Sequence, residues 1–528
     1  MRNAKLAFGI LFLLALACLP TAELPSPTPP IPPLPPVETP VKPRPTEETP
    51  WPPVSGPDPS YRVATFYYPW YRTPQVDGYW DHWGEGFFQP PLDIASDYYP
   101  LLGAYSIADP AVLAQHFAAL RSANIGMIIS SWWGQGSRED QSVALLLDVA
   151  DHYGIRVAFH IEPYGGRTAD TLLSDIKYLY THYGDHPSFY RTSDPSRWSP
   201  DDRPKGLFFV WAITVPDHDS AEVPASYWQG AVDTIHALPD GGLVIANATE
   251  GSWVDGGHFD GLYNYATLHL SQSGGFAWAL GLPPGAWYVP SVLPGFSARR
   301  IAYPPEDFVP REDGATYEEQ WHAALDVGVE PALVAITSFN EWHEGSQIEP
   351  AVVGATNDAG FTYQDYGALP PEGYMTLSGQ LAAEFLAQAW PATARVQIRL
   401  TTTSDWTNFY LVSGATWMRP DRLSLSSAAV GSGLFDGHFS LGQPIASAEA
   451  GKMVEMVVDM LFSNWQKTTA VTFEIARGNL GATTAELSTY EAGEAVLVES
   501  VRWSGLTGDG RNTFTFTVPT EELFPPLP

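Results

Sequence analysis

The sequence predicts an α/β protein, a (β/α)8 TIM barrel followed by an all-β sandwich. Over residues 61–391 about eight short apolar segments alternate with helical patterns or long loops, across the roughly 330 residues that such a barrel needs. No glycine-rich dinucleotide or phosphate loop follows the first apolar segment, which disfavours the competing doubly wound open sheet. Beyond residue 391 the helical period gives way to alternation, as in Val396, Ile398 and Leu400 or Phe514, Phe516 and Val518, with turn residues such as Gly508-Asp509-Gly510 between the runs.

The N-terminus reads as a targeting segment, residues 1–18. Arg2 and Lys5 precede an apolar stretch over 6–17 that is too short to span a bilayer. It ends in Ala15-Leu16-Ala17-Cys18, similar to a bacterial lipobox, and Cys18 is the only cysteine of the chain. Lipidation at Cys18 is therefore expected, an intrachain disulfide is excluded, and the protein is expected to be extracytoplasmic, on a bacterial cell surface or membrane through its lipid. Residues 19–60 are dominated by Pro with Thr and Glu, the composition of an extended, semi-rigid tether. The net charge of −32 repels nucleic-acid phosphates and anionic membranes, so no nucleic acid and no membrane contact beyond the lipid are expected. Hydrophobic residues make up 45% and charged residues 16%, enough apolar surface for a large core, and 13% aromatic content with 19 Trp leans towards carbohydrate as a partner.

Within 61–391 the strand-like runs are VATFYY (63–68), IGMIISSWW (125–133), IRVAFHIEPY (155–164), GLFFVWAIT (206–214), LVIAN (243–247), FDGLYNY (259–265), WYVPSV (287–292) and a last one over 332–339. Between them, Asp109-Pro110 opens a helix with Leu113, Phe117 and Leu120 at helical spacing, Asp109 being its N-cap. Residues 142–153, 169–183, 221–238, 317–327 and 375–390 carry similar patterns. In a parallel barrel the C-terminal strand ends meet at one mouth, and catalytic groups sit there. These ends hold Tyr67, Tyr68, Trp70 and Tyr71, then Trp132 and Trp133, His160, Glu162 and Tyr164, and Tyr263 and Tyr265.

The densest end follows the last run. In ALVAITSFNEWHEGSQIEP (332–350), a short apolar stretch suited to a strand buried on both faces passes into Asn340, Glu341, His343, Glu344, Gln347 and Glu349. Paired carboxylates in an aromatic cleft suit glycoside cleavage, one as acid on the leaving oxygen and one as base or nucleophile. In a strict strand Glu341 and Glu344 would oppose one another; a turn after Asn340, which Gly345 allows, would bring both to one pocket. Trp342 and His343 would desolvate and orient the pair. The same residues leave other readings open. His343, Glu344, His160 and Glu162 form a mixture that metals accept, although no HExxH spacing is present. A serine nucleophile would need a G-x-S-x-G elbow, which is missing. A non-catalytic sugar-binding lipoprotein would use the aromatics without the Glu pair.

The segments YYPWY (67–71), DGYWDHW (77–83), SWW (131–133), HIEPY (160–164), FDGLYNY (259–265) and FNEWHEGSQIEP (339–350), in this order, resemble glycoside hydrolase family 99 over residues 61–390. Residues Arg311, Gly314 and Tyr317 are similar to the family as well, and Ser346 stands where the family usually has Thr. The resemblance implies an endo-acting α-mannosidase or α-1,2-mannanase, retaining in outcome, with no metal or other cofactor, acting on an oligosaccharide or polysaccharide. It implies that Glu341 deprotonates the substrate's 2-hydroxyl to give a 1,2-anhydro sugar and that Glu344 is the acid and then the base. Glu162 and Tyr265, with Tyr67 and Tyr68 of the first strand, would line the −1 sugar site, His82, Trp83, Trp132 and Trp133 would shape the neighbouring subsites, and His160, Tyr164, Asn340 and His343 would also bind substrate. A hydrolase of the same fold acting on a different α-glycan is the alternative. The resemblance stops before residues 392–528, where Trp406, Trp417 or Trp465 would bind carbohydrate if that domain does more than pack on the barrel.

Overall fold

The computed structural model describes residues 51–388, apart from 53, 218, 271–273, 284, 302–307 and 328, together with the strands that lie between 393 and 519. Cys18, most of the expected tether, Trp406 and Trp465 lie outside the described residues; of Trp417 only its strand is described. Among the described residues no helix is long and apolar enough to cross a membrane.

Nine strand segments form the barrel: β1 Val63–Tyr67, β2 Met127–Trp132, β3 Arg156–Ile161, β4 Lys205–Val210, β5 Leu243–Asn247, β6 Gly261–Tyr263, β7 Trp287–Val289, β8 Ser291–Val292 and β9 Val334–Ile336. Neighbours pair in parallel from β1 through β6 to β7, and β9 pairs with both β1 and β8. Only Pro290 separates β7 from β8. It has no N–H to give, but its carbonyl accepts from Ala335 N at 2.9 Å, so 287–292 acts as one stave broken at a proline and the barrel closes with eight. Each of the eight sequence-predicted runs therefore supplies a stave.

Strand alternation divides the side chains into two layers. Ala64, Phe66, Tyr68, Met127, Ile129, Ala158, Leu207, Phe209, Ile245, Tyr263, Val289 and Ala335 fill the barrel interior. The intervening residues, among them Val63, Tyr67, Ile128, Trp132, Phe159, Val210, Val244 and Ile336, face the surrounding helices.

The helices are α1 Pro110–Ser122, α2 Arg138–His152, α3 Ala169–Tyr183, α4 Ser226–His236, α5 Ser252–Gly257, α6 Ala315–Asp326 and α7 Gly373–Ala387. The Asp109 side chain caps α1 by accepting from Ala111 N. Two boundaries differ from expectation for identifiable reasons. The Ser137 side chain caps Asp140 N, so α2 starts at Arg138 rather than 142. Pro224 keeps α4 from starting at 221; Val223 N instead donates to Thr214 O at 2.7 Å, and the helix begins after the proline. Near the expected end of the tether, Trp51 packs on His152, and Arg121 reaches the carbonyls of Gly56 and Pro57.

Beyond residue 392, ten strands from Thr393–Thr402 to Asn512–Pro519 pair antiparallel into two five-stranded sheets.

Candidate active site

The chain leaves β9 through Thr337 and folds residues 338–348 into a closed loop. Ser338 N donates to Ser346 O (2.8 Å) and Ile348 N to Ser338 O (2.9 Å). Phe339 N donates to Phe66 O at 2.8 Å, tying the loop to the end of β1. Asn340, fully buried, completes that tie: its Oδ1 accepts from Tyr68 N (2.8 Å) and its Nδ2 donates to Tyr68 O (3.0 Å). The loop's return is held from outside the barrel. Arg311 donates to Gly345 O (2.9 Å) and Gln347 O (2.6 Å), and its buried guanidinium lies 4.6 to 4.8 Å from the ring centres of Tyr98, Tyr366 and Tyr374. Gly345 turns the chain at φ 58°, and a Cβ there would meet Ser297 O at 2.9 Å.

Trp342 sits between the two glutamates and points into the core. Its Nε1 donates to Glu349 Oε2 at 2.9 Å, and the same oxygen accepts from Tyr105 at 2.6 Å. With the indole turned inward, the turn carries Glu341 and Glu344 to the barrel mouth. The Tyr68 hydroxyl lies within the fields of Glu341, Glu162 and Glu344 together. Tyr265 donates to Glu344 Oε2 at 3.3 Å and is also hydrogen-bonded to Tyr68. Glu162 Oε1 accepts from Ser131 at 2.9 Å and lies 2.9 Å from His160 Nδ1, while His160 Nε2 pairs with Tyr263 at 2.6 Å.

Burial and neighbouring carboxylates shift both glutamates. Burial pushes the Glu341 carboxyl well above its ordinary value; the charge of Glu344 adds to this, and the His343 N–H that donates to Glu341 Oε1 at 3.0 Å opposes it. Glu344, which keeps part of its surface open to the mouth, is pushed up to about 7, mainly by burial and also by Glu162, against the hydrogen bond from Tyr265. Burial thus makes both carboxyls hold a proton more tightly than an exposed glutamate, and Glu344, at about 7, can hold or release one near neutrality, the condition for general acid–base work. Burial holds the His343 imidazole below its usual range, hence neutral. Its Nε2 donates to His82 O at 2.5 Å, so the bare Nδ1 faces Glu341 Oε1 at 3.6 Å.

The structure brings Glu341, Glu344, Glu162, His160, Tyr68, Tyr265 and His343 together, with His82 stacked on Trp70 at 4.6 Å at the rim. Trp133, half-buried, directly follows the end of β2. Other expected contacts point elsewhere. Tyr67 faces the helix layer and bonds His116 Nδ1 at 2.9 Å. Trp132, also outward by alternation, donates to Asp140 at 3.0 Å. Trp83 is core, donating to Tyr105 O at 2.7 Å, and the Tyr164 hydroxyl is bound by Asp175 on α3. Asn340 is used up on the Tyr68 backbone. Three participants were not anticipated. Ser131 lies inside a quoted motif, and its strand parity with Trp133 marks it. Trp70 stood among the strand-end aromatics. Glu85, 3.2 Å from His82 Nδ1, lies in an aperiodic loop without a pattern to signal it.

Acidic groups of unequal environment, gathered with aromatics at the C-terminal mouth of a (β/α)8 barrel, are the constellation of a glycoside hydrolase. The family assignment is specific: residues 59–387 match the model of Glycosyl hydrolase family 99, and the chain belongs to that family. It is 33% identical over 373 residues to the glycoprotein endo-alpha-1,2-mannosidase of Mus musculus, covering 62% of this chain and 76% of that protein. It is likewise 33% identical over 378 residues to a glycoprotein endo-alpha-1,2-mannosidase-like protein of Danio rerio, covering 63% of this chain and 80% of the relative. Among solved structures, the GH99 endo-alpha-mannosidase from Bacteroides thetaiotaomicron superposes with a TM-score of 0.54 at 32% identity, over 62% of this chain and 98% of that one. The protein is a glycoside hydrolase, and the reading as a sugar-binding lipoprotein without catalysis gives way to that.

Proposed function

We propose that the barrel is a retaining endo-glycosidase for α-mannosidic linkages in glycans or mannan, working through the substrate's own 2-hydroxyl. The observation that carries this reading is the closed loop 338–348, which presents two carboxyls on one turn, both raised by burial and by neighbouring carboxylates, on a chain similar to endo-α-mannosidases. In the first step Glu341 takes the 2-hydroxyl proton as O2 attacks the anomeric carbon. The glycosidic C–O bond breaks and Glu344 gives its proton to the leaving oxygen. In the second, Glu344 takes a proton from water, the water oxygen attacks the same carbon, and O2 leaves it and recovers its proton from Glu341. The pair needs one proton between them, on Glu344, when sugar binds. In the free enzyme the deeper Glu341 competes for that proton, and a hydrogen bond from the 2-hydroxyl would favour its ionised form. Glu162, Tyr68, Tyr265 and His160 would hold the −1 sugar, and His82 and Trp133 the rim.

The remaining parts of the reading concern the ends of the chain. The two C-terminal five-stranded sheets would pack as a β-sandwich accessory domain, and lipidated Cys18 with the Pro-rich segment would hold the barrel off a bacterial surface. The test is incubation with α-1,2-linked and α-1,6-linked mannan fragments, following product length and anomeric configuration by NMR. Release of short oligosaccharides with retained configuration is expected, and Glu341→Gln and Glu344→Gln should each remove nearly all turnover with circular dichroism unchanged. Unaltered turnover in either variant would sink the assignment.

A further inference from the structure

Beside Glu341 lies a second cluster, none of whose members moves a proton in the hydrolytic scheme. His82 Nδ1, Glu85 Oε1 and His343 Nε2 all fall within 4.8 Å of one another, with His82 to Glu85 at 3.2 Å and Glu85 to His343 at 3.7 Å. A tetrahedral zinc ion with bonds of about 2.1 Å sets its ligands roughly 3.4 Å apart, so small side-chain rotations would close these distances. The loop is folded back to make this approach: His82, Glu85 and Gly86 all have left-handed backbones, at φ 55°, 43° and 71°. The His82 ring is fixed in direction by its stack on Trp70 (4.6 Å, 11°). Its buried Nδ1 faces Glu85 Oε1 at 3.2 Å without an aligned hydrogen bond to it. His82 and Glu85 remain partly open to solvent, so an ion has access.

We propose that His82, Glu85 and His343 form a binding site for a divalent zinc-class ion, with water in the fourth position, and that the bound ion shuts off hydrolysis instead of taking part in it. The site stands on its own geometry; the inhibitory half rests on the role of Glu341 proposed above. His343 now donates from Nε2 to His82 O and turns a bare Nδ1 to Glu341. Coordination through Nε2 sends that proton to solvent, and the neutral ring takes one up at Nδ1. The new Nδ1–H then points at Glu341 Oε1, completing a carboxylate–histidine–metal triad. Glu341 becomes an acceptor for the ligand histidine and is no longer free to take the 2-hydroxyl proton.

The experiment is a titration of chelator-stripped, tag-free full-length protein with Co2+, followed by visible absorption and then by Zn2+ displacement. One equivalent with a tetrahedral cobalt spectrum is expected. Glu85→Gln should weaken binding by about tenfold or more, and His82→Ala should abolish it, with thermal melts in chelator showing both variants folded. Hydrolysis should fall on addition of Zn2+ and return with chelator, and half-inhibition in Glu85→Gln should need a correspondingly higher concentration. Absence of the cobalt spectrum, or binding indifferent to both substitutions, overturns the site. Stoichiometric binding that leaves hydrolysis unchanged overturns the inhibitory half. The cobalt arm decides the site even if no mannoside is cleaved.

Discussion

Replacing Tyr265 by Phe removes one hydroxyl and tests which group sets the alkaline limit of the reaction. Tyr265 donates to Glu344 Oε2 at 3.3 Å, a bond that favours the ionised carboxyl and works against the burial that has pushed Glu344 up to about 7. Removing it should raise the Glu344 pKa further. Hydrogen bonds to charged groups contribute about 1.5–3 kcal/mol. At 3.3 Å this one is long for O–H···O, and Glu344 is partly open to the mouth, so roughly half of that range is reasonable. That is ~0.75–1.5 kcal/mol, or ~0.5–1 pH unit at 1.36 kcal/mol per unit. Because Glu344 must be protonated to serve as the acid, activity falls as pH rises through its pKa. The alkaline limb of kcat/KM should therefore move up by ~0.5–1 unit in Tyr265→Phe, even as the plateau drops from the lost sugar contact. The assay is initial rates on a mannan fragment between about pH 5 and pH 9. A limb that stays in place, or moves to lower pH, would refute both the assignment of the acid and the direction of the hydrogen bond's effect.

Glu162→Gln should displace the same limb the other way, to lower pH, because the Glu162 charge helps to hold Glu344 up; a shift upward would show that the limb belongs to another group. Gly345→Ala should cost about 1–3 kcal/mol by forcing a side chain onto a left-handed backbone against Ser297, seen as a lower midpoint in urea unfolding, and should lower turnover by loosening the turn. Glu341→Gln should stabilise the fold while removing activity. The folded pKa of Glu341 lies above its ordinary 4.5, so wild-type stability from this group is full below about pH 4.5 and is lost as pH rises toward the folded value. Gln carries no such penalty, so the gain in Tm should be large near pH 8 and small near pH 4, and an equal gain at both would be inconsistent with a buried, raised carboxyl.

How much of this was legible in the sequence depends on which physical signal each residue carried. The eight staves were readable because a stave buried on both faces has to be apolar along its length, so 243–247 and 332–336 stand out as runs. The same fact hides parity. With both faces apolar, nothing in YY or WW says which aromatic looks into the barrel, and the structure turns Tyr68 to the mouth but Tyr67 and Trp132 to the helices. Parity becomes readable only where one face turns polar. Ser131, His160 and Glu162 share the interior face, and counting back from them would have separated the pairs. Asn340 misled for a different reason: an amide can serve a ligand or a backbone, and here the isolated backbone groups of Tyr68 at the strand end claim both of its atoms. The loop carrying His82 and Glu85 was the least legible, since it has no period and two of its left-handed backbones fall on non-glycine residues, so that Gly86 alone says little about the fold-back. The turn at Gly345 was legible because two glutamates three apart can share a pocket only if the chain reverses between or beside them. The sequence places there a glycine whose missing Cβ lets the backbone pass Ser297, and the indole of Trp342, turned into the core, sends both carboxylates the other way. Function was thus more legible than local geometry: a buried strand running directly into carboxylates has few structural reasons to exist, whereas an aromatic on a buried strand has many.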